Sequence, residues 1–187
     1  MGEGRRARSR VGLTFCLAVA LLVGCRNQPD RGAAATDSIK VLRVQSPSDD
    51  RSGAEHCNER GAECRPLAPG QAIPRSGIVR TFAGSAVSLD LGHGRRLDLG
   101  PLSETKLSTH AAELTRGDVG VTGSPLIQKE SAFDFVVGRR SFQLDGASGA
   151  LAALSVAGNT TELTLRRGKL RGTDLDGLSS GQTVRLT

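Results

Sequence analysis

After ten mostly polar residues the chain carries an apolar run from Val11 to Val23, broken only by Gly12 and Thr14, passes through a polar stretch, and from Ile78 settles into a period of two. Alternation over four to eight residues marks a strand with one buried face. Val87, Leu89 and Leu91 alternate with Ser88 and Asp90, Gly92-His93-Gly94 predicts a turn, and Leu97 and Leu99 alternate about Asp98. A hairpin with one apolar face follows. Leu107, Leu114, Val119 and Val121 continue the series, with a second turn predicted at Gly117-Asp118. Phe133, Phe135 and Val137 predict a strand, Gly138-Arg139 a turn, and Phe142 and Leu144 the return. Ala150 to Val156 is nearly all apolar and predicts a central strand buried on both faces. Thr161, Leu163 and Leu165 alternate again, Gly168 predicts a turn before Leu170, and Gly181 to Leu186 close the sheet. The one hint of helix is a turn around Ser103 to Thr109.

Leu114, Gly117 and Val119 stand in the same relation as Leu165, Gly168 and Leu170, which suggests two similar halves of antiparallel hairpins. The predicted fold is all-β, an antiparallel double-sheet jelly roll or sandwich of short strands. A β-solenoid is the alternative architecture.

Arg5, Arg6, Arg8 and Arg10 precede the apolar run, giving the charged and hydrophobic regions of a secretory signal. The run is short of the roughly 20 residues that span a bilayer. Leu22-Val23-Gly24-Cys25 then resembles the bacterial lipoprotein lipobox. That resemblance implies diacylglycerol on the Cys25 thiol and cleavage after the small Gly24. Two or three acyl chains hold a protein to a membrane far more firmly than one. Arg26, not an aspartate, follows the lipid site, which by resemblance to Gram-negative sorting implies the outer membrane, facing the periplasm. The expected organisation is a signal peptide over 1–24, a flexible tether with a disulfide-closed loop over 25–66, and a β domain over 67–187. Ile39 to Val44 is an apolar patch in that tether, either a first strand or a sticky piece of linker.

Removal of residues 1–24 from the 187 leaves 163, enough for one domain with a core. The formal charge falls from +6 to +3, because the leader carries four Arg and one Glu. Residual charges are scattered, and there is neither Trp nor Tyr to stack on bases, so nucleic acid is not an expected partner. Cys57 and Cys64 are the two mature thiols besides Cys25 and, in an oxidising compartment, are expected to pair. A metal site using His56 beside them lacks a fourth ligand.

An enzyme needs a constellation, and the inventory is thin. His93 lies between two glycines at a predicted hairpin tip, and His110 near a strand end. No pair of histidines is spaced as a jelly-roll metal centre requires, and the serines lack a nucleophile-elbow frame. No catalytic residue, cofactor or metal is predicted. Arg95, Arg96, Arg139, Arg140, Arg166 and Arg167 fall at turns or strand starts, as charged edges that deter sheet-to-sheet aggregation or as a basic rim for a partner.

From about Leu67 to Leu186 a succession of phrases resembles a FecR-type periplasmic domain. They begin with Gly70-Gln71-Ala72-Ile73 and Val79-Arg80-Thr81, then Ser85 to Leu89 and Gly94 to Leu99. Pro101 to Glu104, Leu114 to Val119, Phe133 to Val137, Leu165 to Leu170 and Leu178 to Gln182 follow. The resemblance implies an extracytoplasmic β domain that acts by contact with another protein. About ten residues precede the apolar run, so the cytoplasmic anti-sigma segment of FecR regulators is not expected. The expected function is therefore a membrane-anchored envelope lipoprotein that binds a protein partner in signalling or assembly. The alternative is a carbohydrate-binding or hydrolytic sandwich acting on envelope polysaccharide, which would be favoured by carboxylates such as Asp98 and Glu104 converging in a pocket.

Overall fold

The computed structural model describes residues 38–48, 53–124, 133–145, 149–172, 175 and 178–186. Cys25, the leader and the first part of the expected tether lie outside them. The described residues form fifteen strands and no helix. They are β1 (Ser38–Gln45), β2 (Ala54–Cys57), β3 (Arg65–Pro66), β4 (Ala72–Pro74), β5 (Gly77–Thr81), β6 (Ala86–Gly92), β7 (Arg95–Leu99) and β8 (Glu104–Leu107). After these come β9 (Ala111–Gly123), β10 (Asp134–Val137), β11 (Arg140–Leu144), β12 (Ala150–Ala157), β13 (Thr160–Arg167), β14 (Leu170–Arg171) and β15 (Thr183–Leu186). Pairing is antiparallel with one exception, β9 beside β10, which run parallel.

The long strand β9 joins the two arms of the sheet. Its first half pairs with β8 and β10, and its second half with β7 and β12. One arm runs β3-β2-β5-β8-β9-β10-β11-β14, the other β4-β1-β6-β7-β9-β12-β13-β15. The sheet curls so that both arms bury their apolar residues in one core, Val79, Leu107 and Phe135 from the first, Leu89, Leu97 and Leu163 from the second. The all-β antiparallel class is the one that the alternation predicts.

Gly117 is where β9 bends, not a hairpin turn. Its φ is +87°, and a Cβ there would lie 2.6 Å from the Cα of Ser103. Ser103 is fully buried, and its hydroxyl accepts from the Asp118 N–H and donates to the Asp118 carbonyl, each at 2.9 Å. The side chain thus takes up backbone groups that the bend removes from the ladder. Gly168 does the same work with φ +81°: before it β13 pairs with β12 and β15, after it β14 pairs with β11 on the other arm. Neither glycine makes the hairpin that the sequence echo suggests; each passes the chain between arms.

Other expectations change with the pairing. Residues 103–109 hold strand β8, not a helical turn. β12 is central in the sheet, yet Ala150, Ala152 and Leu154 point inward while Leu151 is 36 % exposed, so only one face is buried. The domain also begins well before Leu67. Ile39 and Val41 of β1 and Ala54 and Cys57 of β2 are fully buried, and β1 lies between β6 and β4.

Thr105 is a local misfit in this core. It is 1 % exposed, and its hydroxyl has no hydrogen-bond partner. The void of about 10 Å³ beside it is otherwise lined by apolar side chains such as Leu97, Leu114 and Phe135. Burying an unpaired hydroxyl costs about 1–3 kcal/mol, and valine has the same shape. Thr105→Val is therefore expected to stabilise the domain by about 1 kcal/mol, seen as a higher urea midpoint at unchanged slope.

Candidate functional site

The six arginines that the sequence offers as charged edges or as a basic rim are dispersed. Successive strand residues face opposite sides, so Arg95 and Arg96 cannot share a surface. Arg95 points inward, is 6 % exposed and lies over the Phe133 ring at 5.7 Å. Burial, and then repulsion from Arg75, lower its pKa. Arg96 points outward and donates to Asp98 at 2.7 Å. Arg139 and Arg140 lie at the β10–β11 hairpin, beside Gly158 and Asn159 of the β12–β13 turn. Arg166 and Arg167 stand at the other end of β13, where the register is bulged and both are exposed.

Cys57 and Cys64 are joined by a disulfide that closes the loop between β2 and β3. Within that loop the Asn58 side-chain oxygen accepts from the N–H groups of Arg60 and Ala62, both at 3.0 Å. Arg80 of β5 donates to the Gly61 carbonyl at 3.3 Å and to Glu104 of β8 at 2.8 Å, tying the loop to the neighbouring strands. The Glu55 carboxylate approaches both sulfurs, but these are bonded to one another, and His56 contacts the Ser76 carbonyl at 2.9 Å. This corner is structural. Glu104 pairs with Arg80 and Asp98 with Arg96, and Glu104 is not among the residues that line the groove holding Asp98.

A groove of about 590 Å³ crosses the outward face of the second arm. The register explains its shape. Arg43, Ser88, Asp98, Gly120, Ala153 and Thr164 lie in one row across six strands. In the adjacent row Asp118 lies opposite Ser155, with Glu162 beyond it, and the Gly100 N–H donates to the Asp118 carbonyl at 2.8 Å. Gly100, Gly120 and Ala153 put little or nothing above the backbone, so the centre is low, while Arg43 stands at one side and Arg166 and Leu151 at the other. Two charges in the groove are already engaged within the domain. Asp98 accepts from Ser88 and Arg96 through one oxygen, and Glu162 accepts from Arg185 at 2.8 Å. Arg43, Arg166 and Asp118 are exposed and have no side-chain partner among the described residues.

A second surface lies at one end of the sheet. Phe82 and Leu102 are 42 % and 56 % exposed and adjacent, the Leu102 N–H donating to the Phe82 carbonyl at 3.3 Å. Leu102 holds a φ of +54°, a conformation that L-residues other than Asn and Asp seldom adopt. The backbone beneath is fixed by the Thr81 hydroxyl, which accepts from the Ser103 N–H at 2.9 Å, and by the Thr81 N–H, which donates to the Ser103 carbonyl at 3.0 Å. Strained backbone of this kind costs about 1–3 kcal/mol and gathers at functional positions. The pair sits beside Gly53 and near Pro47, past the C-terminal end of β1.

Sequence reasoning passed over Arg43, Phe82 and Leu102 and read Asp118 only as the shoulder of a glycine turn. The groove left one trace in the sequence, small residues at outward positions of β9 and β12 such as Gly120 and Ala153. Nothing local distinguishes Phe82 and Leu102 from core residues. Among the described residues no helix is long and apolar enough to cross a membrane. The chain matches no family model, no curated protein and no solved structure.

Proposed function

We propose that the protein is an envelope lipoprotein, anchored through acylated Cys25 and probing its surroundings with a FecR-like β domain that binds a protein partner. The observation that carries the partner reading is the exposed pair Phe82 and Leu102, held on a backbone in which Leu102 has positive φ. Aromatic and aliphatic anchors raised from a rigid rim are what the centre of a protein interface needs. Within the domain this pair lies past Gln45, the end of β1 that is about 23 Å from Ser38. The lipobox and the disulfide support export to an oxidising compartment, with the outer membrane facing the periplasm as the destination.

The test places a photo-crosslinking residue at position 82, 102 or, as a control, 139 in the full chain, expressed in Gram-negative cells. Adducts with one envelope protein are expected at 82 and 102 and not at 139. The membrane-extracted chain should have the mass of an acylated fragment starting at Cys25, and Cys25→Ser should release it from the membrane. An unacylated soluble product would remove the anchor, and equal adducts from all three positions would remove the interface.

A further inference from the structure

Independently of the partner surface, we infer that the groove on the outward face of the second arm binds a carboxylate-bearing glycan laid across the strands. Among the described residues the fold leaves Arg43, Asp118 and Arg166 without side-chain partners. Arg43 on β1 and Arg166 on β13 stand at opposite sides of the groove, with five strand spacings between their strands, about 24 Å measured along the curled sheet. A guanidinium is a planar fork that holds a carboxylate by two parallel hydrogen bonds. Two of them at that separation suit an extended chain with repeated anionic groups.

The groove between them has the opposite character. Asp118 offers both carboxylate oxygens, and Asp98, whose Ser88 and Arg96 contacts fall on a single oxygen, offers the other. An ionised carboxylate only accepts hydrogen bonds, so its ligand must bring donors. An acidic polypeptide would bring further carboxylates over Asp98 and Asp118, where like charges repel. A basic polypeptide would meet Arg43 and Arg166. A sugar chain with carboxylates satisfies both sets, because its hydroxyls donate to the aspartates while its acid groups accept from the arginines. Gly100, Gly120 and Ala153 let pyranose rings approach the sheet, and half-exposed Leu151 gives an aliphatic surface at one wall.

The test is calorimetric titration of the detergent-solubilised full chain with oligomers of galacturonate, mannuronate and hyaluronan. The methyl ester of the galacturonate oligomer and polyglutamate of equal length serve as comparisons. At least one acidic glycan is expected to bind, and the double variant R43Q/R166Q to bind it about tenfold more weakly. R139Q, away from the groove, should bind as the parent does. Asp118→Ala discriminates most sharply: bulk electrostatics predicts that removing a negative charge strengthens binding of an anion, whereas loss of a hydroxyl acceptor weakens it severalfold. Arg43, Arg166 and Asp118 are exposed and unpaired, so each variant is expected to keep the parent's unfolding midpoint. Weaker binding by Asp118→Ala together with loss in R43Q/R166Q supports the site. The inference is overturned if none of the three glycans binds, if the ester or polyglutamate binds as tightly, if R43Q/R166Q binds like the parent, or if Asp118→Ala strengthens binding.

Discussion

A fragment beginning at Leu67, where sequence resemblance places the domain boundary, is expected not to fold, whereas one beginning at Ala34 is expected to melt cooperatively. The shorter fragment lacks β1, β2 and the short β3. Four fully buried apolar side chains go with them, Ile39, Val41, Ala54 and Cys57. Burial of a large aliphatic side chain contributes about 1.5–3 kcal/mol, so Ile39 and Val41 alone supply about 3–6 kcal/mol. A domain of this size has about 5–15 kcal/mol in total. The truncation also strips β6 of its β1 partner and β5 of its β2 partner, exposing two edges, and removes the Cys57–Cys64 disulfide altogether. Circular dichroism during a thermal scan decides the matter. A cooperative transition in the fragment 67–187 would show that β1 and β2 are accessory to the fold.

Gly117→Ala is expected to be strongly damaging, at about 3–5 kcal/mol. Two independent penalties combine. The φ of +87° is unfavourable for any residue with a Cβ, and the new methyl would be only 2.6 Å from the Cα of Ser103. Ser103 cannot retreat without breaking its bonds to both backbone groups of Asp118. Gly138→Ala is the control, since Gly138 has φ +60° and a methyl added there would meet nothing within 4 Å. It carries the backbone penalty alone, about 1–2 kcal/mol. Urea unfolding of the two variants separates a corner glycine from a turn glycine. Equal losses would mean that the contact with Ser103 relaxes freely.

The contrast between those glycines shows where sequence reasoning stopped. A positive φ is a local preference, and glycine signals it equally in a hairpin tip and in a strand that changes partners. Gly92-His93-Gly94 is a turn because β6 and β7 pair with each other, and Gly117 is a corner because β8, β7, β10 and β12 all pair with one strand. Likewise Arg95 and Arg96 read alike in the chain, and only the face that the core occupies made one a buried cation over Phe133 and the other a partner of Asp98.

By itself the sequence determined the strand class, the β6–β7 and β10–β11 hairpins and the inward residues of each, because alternation and turn chemistry are properties of neighbouring residues. The proximity of Cys57 and Cys64 is of the same kind. Tertiary structure alone decided that β1 belongs to the sheet, that β9 runs parallel to β10, and that Arg43, Asp118 and Arg166 line one groove. Those outcomes depend on which distant strands pair and in what register, and a chain carries no local period for its partners.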